Sequence, residues 1–281
     1  MSWLSGFLTN KYIRRYSRPE LQRKNRKNIY RALQAYGYDN DASTTETSED
    51  FLFEQVVRHF EPKVMLDVGA NVGSYSRKLL SHFPEAKVYA FEPLAKTYAT
   101  LSRLTDEHGD RFVPVNVGVG ASPGSLELHY EEDASSHASF AAEASEVPYV
   151  RNTQKALIDV VTLDGFVAER LVGETVDFVK IDTEGFEFEV LQGARNLVSR
   201  HRPAAVHIEF NWHHMFRGHS FQMLASMLPG YEVFQFVPGG LARRDPKEPL
   251  SNLFMFSNFA FLRADLLPEL ARIGDATWLQ D

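Results

Sequence analysis

The sequence predicts a doubly wound, mostly parallel α/β sheet carrying an N-terminal helical arm, and three observations lead there. Val64 to Ser76 reads as a strand, a glycine turn and a helix start; Val88 to Glu92 reads as a second strand that ends in an acid; and strand and helix patterns alternate from residue 51 onward. The chain has 281 residues, 44% of them hydrophobic, enough for one substantial core with an appendage. A net charge of -7 argues against bulk nucleic-acid binding, which needs an excess of Lys and Arg. With no cysteine, disulfides, thiolate catalysis and zinc-thiolate sites are excluded. No apolar run reaches the roughly 18 residues of a transmembrane segment, and the first ten residues lack a charged leader and a long apolar centre, so a cytoplasmic location is expected.

Residues 1–45 form a basic arm and linker, ahead of a main domain spanning 46–281. Lys11, Arg14, Arg15, Arg18, Arg23, Lys24, Arg26, Lys27 and Arg31 crowd the arm, interleaved with Tyr12, Ile13, Tyr16, Leu21, Ile29, Tyr30 and Leu33. A solvated helix explains this pattern, as does a surface for an acidic glycan, a membrane or a partner subunit, including a homodimer. Asp39 to Asp50, polar and rich in Ser and Thr, reads as the linker.

In the main domain, Phe51 to Phe60 reads as an amphipathic helix, Val64 to Val68 as the first strand and Tyr75 to Phe83 as the helix after the glycine turn. Val88 to Phe91, a helix over Thr97 to Glu107 and a third strand over Phe112 to Val119 follow. Ser125 to Tyr130 alternates like a short extra strand. Residues 131–155 lack periodicity and read as a mobile loop in which His137 either touches substrate or is solvated. Ile158 to Asp164 is an edge segment, Leu163 to Leu171 a helix, and Val176 to Asp182 a strand. A helix ending near Arg200 leads to the strand Ala204 to Asn211.

The turn after the first strand suits a nucleotide cofactor. Gly69 and Gly73 let the backbone turn tightly and approach a ligand, and the helix that follows offers its N-terminal amides. Glu92 lies 19 residues after Gly73, at the end of the second strand, where a carboxylate accepts both ribose hydroxyl protons. Asp67 precedes the glycines in an Asp-x-Gly-x-x-x-Gly order, unlike the Gly-x-Gly-x-x-Gly of dinucleotide sites, which disfavours a nicotinamide-dependent oxidoreductase. Asn71 joins these contacts, and Asn116 to Gly118, near the end of the third strand, line the adenine. In open parallel sheets ligands bind beyond the carboxyl ends of the central strands, and there Asp182, Glu184, Glu209 and Asn211 converge.

Asp67-Val-Gly-Ala-Asn-Val-Gly73, Phe91-Glu-Pro93, Thr162-Leu-Asp164, Lys180-Ile-Asp-Thr-Glu-Gly185, Leu191-Gln-Gly-Ala194 and the strand-end Glu209 occur in the order of one family's pattern. On these motifs the chain resembles the FkbM family of S-adenosylmethionine-dependent methyltransferases over roughly residues 50–262. The resemblance implies a Rossmann-like class I methyltransferase sheet of seven strands with the last antiparallel, for which Tyr231 to Val237 and Asn258 to Leu262 are the closing pair, separated by a long loop. It also implies O-methylation of a hydroxyl on a sugar or a secondary metabolite, with S-adenosylmethionine as donor.

An alcohol is a poor acid, so transfer requires a general base or a metal that lowers its pKa. In one version Asp182, Glu184 or Glu209 takes the proton, with His213 or His214 behind them. In the other, Asp182, Glu209 and Asn211 hold a hard divalent cation such as magnesium. The metal-free version is favoured, because Glu stands where the metal pattern has Asp. Glu184 and Glu187 lie at a helix start, where Lys180 pairs with one of them; Glu187 reads as structural, and His207 as a hydrogen-bonded core residue. Trp212 to Phe216 form an aromatic cluster that suits a sugar-stacking wall and a packed loop equally. The alternative to an enzyme is a non-catalytic scaffold that keeps the fold.

Overall fold

Strands whose side chains are apolar on both faces need helices on both sides, and this requirement organises the molecule. The computed structural model describes residues 13, 15–40, 42–131, 138–140 and 152–273. The strands are β1 (Val64–Val68), β2 (Lys87–Phe91), β3 (Phe112–Val115), β4 (Gly118–Val119), β5 (Gly124–Tyr130), β6 (Gln154–Val161), β7 (Phe178–Ile181), β8 (Ala205–Phe210), β9 (Tyr231–Val237), β10 (Gly240–Arg244) and β11 (Ser257–Arg263). The helices are α1 (Gln22–Tyr36), α2 (Ala42–Gln55), α3 (Ser74–His82), α4 (Ala95–Leu101), α5 (Leu104–His108), α6 (Leu163–Arg170), α7 (Glu187–Gln192), α8 (His213–Arg217), α9 (Phe221–Ser226) and α10 (Leu267–Ile273).

Eight strands form the main sheet in the order β10-β9-β11-β8-β7-β1-β2-β3. β3, β2, β1, β7 and β8 run parallel, and β11 inserts antiparallel between β8 and β9. This is the expected class I methyltransferase sheet with β10 added at one edge. Along β1, Val64, Leu66 and Val68 enter one core with Val179 and Ile181, while Met65 enters the opposite core with Phe178. The order reverses beside β1, between β2 and β7, so the loops after β1, β2 and β7 meet at one edge. A second sheet, β4-β6-β5, stands beside that edge.

Several expectations are corrected. The polar stretch 39–50 is not a linker: α2 begins at Ala42, because Leu52, Phe53 and Val56 are fully buried and draw the preceding turns onto the sheet. Ser48 donates to Val237 O at 3.0 Å and Glu49 pairs with Lys78 at 3.0 Å, which satisfies the polar face of those turns. α2 therefore runs unbroken through residue 45. The third strand is split, since Val115 ends the main sheet and Gly118–Val119 pairs with β6 instead. The helix expected over Thr97 to Glu107 breaks into α4 and α5, and part of the long loop between β9 and β11 is the edge strand β10. Residues 138–140 are held: Ser139 exchanges both backbone hydrogen bonds with His129 at 2.9 Å. His137 lies outside the described residues.

The arm helix α1 buries no side chain, but its end is tied to the sheet. Tyr38 is fully buried, Ser257 Oγ donates to Gly37 O at 2.8 Å, and the Asp39 amide donates to Phe256 O at 2.7 Å. No helix among the described residues is long and apolar enough to cross a membrane.

Candidate active site

The β1 loop is built around two left-handed residues, Gly69 (φ 87°) and Asn71 (φ 50°). A Cβ on Gly69 would lie 1.7 Å from Asp182 O, so glycine here lets the end of β1 touch the end of β7. Gly73 starts α3 at φ 87° and leaves room for Leu101 and Leu104, which makes it a packing residue. These loops and β4 enclose a cavity whose wall includes Gly69, Asn71, Glu92, Gly118, Asp182 and Glu184. Val117, Val119, Leu128 and Phe140 complete its apolar side.

Glu92 projects into the cavity from the end of β2. Its Oε2 accepts the Asn71 amide at 3.0 Å and its Oε1 accepts the Leu94 amide at 2.9 Å. Each oxygen keeps a further lone pair for a ligand. Burial pushes this carboxyl up to about 7, and the two amides only partly offset that. Asn116 does not line the cavity as expected; its amide donates to Glu92 O at 2.8 Å and Pro93 O at 3.0 Å, bracing the turn that carries Glu92. Gly118 does line it, and its missing side chain admits the ring of Phe140.

Asp67 lies behind the loop, 1% exposed, and accepts Ser76 Oγ at 2.5 Å. Burial raises its carboxyl to about 6, opposed by the Ser76 hydrogen bond and by Lys180, its register neighbour on β7. It therefore fixes the start of α3 rather than facing the cavity.

Asp182, Glu184 and Glu209 each bring a carboxylate oxygen within 4.8 Å of the others, the convergence predicted from the strand ends. Lys180, buried within the same sheet, pairs with Asp182 at 2.9 Å. Burial raises the Asp182 carboxyl, which Lys180 opposes and Glu184 reinforces. Glu209 is held well above the usual carboxylate range by burial and by the charges of Asp182 and Glu184. Its Oε1 accepts the Asn211 side-chain amide at 2.6 Å. Glu184 stands at φ 54°, a left-handed conformation unusual outside glycine. Its Oε2 is 3.0 Å from His213 Nδ1 and 3.5 Å from Asn211 Nδ2. His213 is 1% exposed and does not line the cavity, so it backs Glu184 instead of reaching a ligand directly. The triad of carboxylates has the spacing to hold one divalent cation, with Lys180 already supplying a positive charge to it.

Glu187 is buried against His214, and Lys180 pairs with neither Glu184 nor Glu187 but with Asp182. His207 is a core residue, bonded to Tyr75 Oη and Asn258 Oδ1 at 2.7 Å each. Trp212 is 37% exposed beside Asn211. The sequence reading missed Lys180 as the counter-ion of Asp182, whose signal was a lysine inside an apolar strand. It also missed Phe140, for which an aperiodic segment offered no signal.

Residues 67–235 match the methyltransferase FkbM domain. Among curated relatives, 2-O-methyltransferase NoeI of Sinorhizobium fredii is 25% identical over 63% of this chain and 76% of its own length. Hexuronic acid methyltransferase AglP of Haloferax volcanii is 28% identical over 48% of this chain and 52% of its own. Methyltransferase 1 of Beauveria bassiana is 25% identical, and the chain spans 57% of its length. The crystal structure of methyltransferase FkbM from Methylobacillus flagellatus KT superimposes with a TM-score of 0.45 at 20% identity, covering 72% of this chain and 44% of that one. The FkbM domain match takes in both the glycine turn of β1 and the carboxylates after β7 and β8, and the chain belongs to the FkbM methyltransferase family.

Proposed function

We propose that the protein is an O-methyltransferase that moves a methyl group from S-adenosylmethionine to a hydroxyl of a sugar or a secondary metabolite. The observation that carries this reading is the convergence of Asp182, Glu184 and Glu209 beside a cavity lined by Asp182 and Glu184 together with Gly69 and Glu92. The chain's residues suit the donor: Glu92 has lone pairs free for two ribose hydroxyls, and Val117, Val119, Leu128 and Phe140 offer an apolar wall to a flat nucleoside base. The donor supplies an electrophilic methyl carbon on a sulfonium and leaves as a neutral thioether.

This chain's part is to orient the acceptor and to take its proton. Glu184 is the assigned base, since it lines the cavity and is oriented by His213 at 3.0 Å and Asn211 at 3.5 Å. Asp182 has an oxygen engaged by Lys180, and Glu209 stands back from the cavity wall. The acceptor oxygen bonds to the methyl carbon as the carbon–sulfur bond breaks, and the hydroxyl proton passes to the Glu184 carboxylate. Because Lys180 already balances Asp182, the reaction is assigned to the metal-free route. The names of two relatives, a 2-O-methyltransferase and a hexuronic acid methyltransferase, favour a sugar acceptor, and the exposed Trp212 offers it a stacking face.

The test is methyl transfer from labelled S-adenosylmethionine to a panel of hexoses, hexuronic acids and hydroxylated polyketides, with and without EDTA. Transfer that persists in EDTA and falls by at least about 100-fold in Glu184→Gln supports this assignment. Transfer unaffected by that substitution removes Glu184 as the base, and activity abolished by EDTA replaces the metal-free route with a cation on the carboxylate triad.

A further inference from the structure

Glu184 stands on the loop after β7 and must meet Glu209 near the end of β8, and neither the β7 loop nor the β8 loop contains a hydrogen-bonded element long enough to be rigid by itself. The β7 loop passes through Glu184 (φ 54°) and Gly185 (φ 98°) before α7, and the β8 loop turns at Asn211 into the five-residue α8. One buried side chain reaches both. Glu187 Oε1 accepts the Thr183 amide at 2.6 Å and the Thr183 hydroxyl at 3.1 Å. Its Oε2 accepts the Gly185 amide at 3.0 Å and lies 2.9 Å from His214 Nε2. The amides on either side of Glu184 are thus fastened to a single carboxylate.

His214 continues the link. Its Nδ1 stands 3.3 Å from both the amide and the carbonyl oxygen of Asn211, and its ring packs on Phe210 with centroids 4.5 Å apart. Asn211 then bonds Glu209 at 2.6 Å and Glu184 at 3.5 Å through its side-chain amide. Glu187 and His214 are both 1% exposed or less, so water does not compete for these bonds. Burial would raise the Glu187 carboxyl, and His214 with the Thr183 amide overcomes that and keeps it ionised.

We infer that the buried Glu187–His214 pair is the positioning pair of this site, setting the distance between the β7 and β8 loops and holding Glu184 in its left-handed conformation. The inference deepens the reading of Asp182, Glu184 and Glu209 as the reacting end of a methyltransferase. It makes Glu187 and His214 positioning residues, since neither lines the cavity.

The test compares Glu187→Gln, His214→Ala and His214→Gln in the full chain. A glutamine at 214 can place an amide donor where Nε2 stands, whereas alanine cannot. Three measurements separate the outcomes: hydrogen exchange at the Thr183 and Gly185 amides, crystal structures of the variants, and S-adenosylhomocysteine affinity by calorimetry. Exchange is expected to accelerate by at least 100-fold in Glu187→Gln and His214→Ala but to stay within tenfold of the native rate in His214→Gln. The three carboxylate oxygens are expected to separate in the first two variants, while S-adenosylhomocysteine still binds through Glu92, whose partners Asn71 and Leu94 lie outside both loops. Carboxylates that stay together in Glu187→Gln, or a His214→Gln variant as perturbed as His214→Ala, would overturn the inference. A native protein that binds no S-adenosylhomocysteine would instead overturn the methyltransferase reading and leave the loop measurement standing. Should Glu187→Gln not fold, the His214 pair alone decides.

Discussion

Glu92 offers a quantitative handle on the cofactor assignment. Its carboxyl, raised to about 7 by burial, must be ionised to accept two ribose hydroxyl protons while still accepting the amides of Asn71 and Leu94. An acid of that pKa is about 90% ionised at pH 8 and about 10% at pH 6, so affinity should fall about tenfold across that interval, or roughly 1.4 kcal/mol. Glu92→Gln preserves volume but removes the charge and turns an amide donor toward the Asn71 or Leu94 N–H. The loss of hydrogen bonds to a charged group should weaken binding by about 1–3 kcal/mol and abolish the pH dependence. The assay is calorimetric titration of S-adenosylhomocysteine from pH 5.5 to 8.5, with the variant run at each pH so that titration of the ligand itself cancels. A native-to-variant affinity ratio that stays flat between pH 6 and 8 would refute the reasoning, as would a variant that binds within twofold of the native protein.

Three further outcomes follow from the same geometry. Asp67, with a folded pKa of about 6 against an ordinary 3.8, holds a proton that the unfolded chain releases, so its burden on stability grows as pH rises from about 4 to 6 and is complete above 6. Asp67→Asn should therefore raise stability by about 1–3 kcal/mol at pH 8 and by much less at pH 4, measured by urea unfolding; an equal gain at both pH values would contradict the assignment. Gly69→Ala sets a Cβ 1.7 Å from Asp182 O at φ 87° and should abolish cofactor binding, because the β1 loop must leave the end of β7; native affinity in calorimetry would show that this contact is dispensable. Deletion of residues 1–45 removes the buried Tyr38 and the Gly37 carbonyl that accepts Ser257 Oγ and should cost about 3–5 kcal/mol, read as a fall in melting temperature; an unchanged melting temperature would contradict the docking of this segment on the sheet.

The sheet was legible because its strands repeat a simple pattern. β1, β2, β7 and β8 are short apolar runs bounded by glycine or by strand-end acids, and the period alone places Asp67, Glu92, Asp182 and Glu209 along one edge. β10 escaped because Gly240 to Arg244 is short, ends in two arginines and is joined to β9 by a two-residue turn. The first turns of α2 escaped because Ser, Thr and Glu there read as a linker, although Ser48 and Glu49 face Val237 and Lys78 across the fold. At the site, residue type identified the carboxylates but not their division of labour. Asp182, Glu184 and Glu209 are chemically alike in sequence, and only the positions of Lys180, His213 and Asn211 separate the acid paired with lysine, the acid backed by histidine and the recessed acid. The Glu187–His214 contact joins the first turns of two different helices, α7 and α8, and has no local signature at all.

The most direct test of the central claim is a crystal structure of the full chain with S-adenosylhomocysteine. The account predicts the ribose hydroxyls on Glu92, the adenine beside Val117 to Val119, the amino-acid end over the Gly69 turn, and the sulfur facing Asp182 and Glu184. A nucleoside bound elsewhere, or a sulfur turned away from those carboxylates, would contradict it.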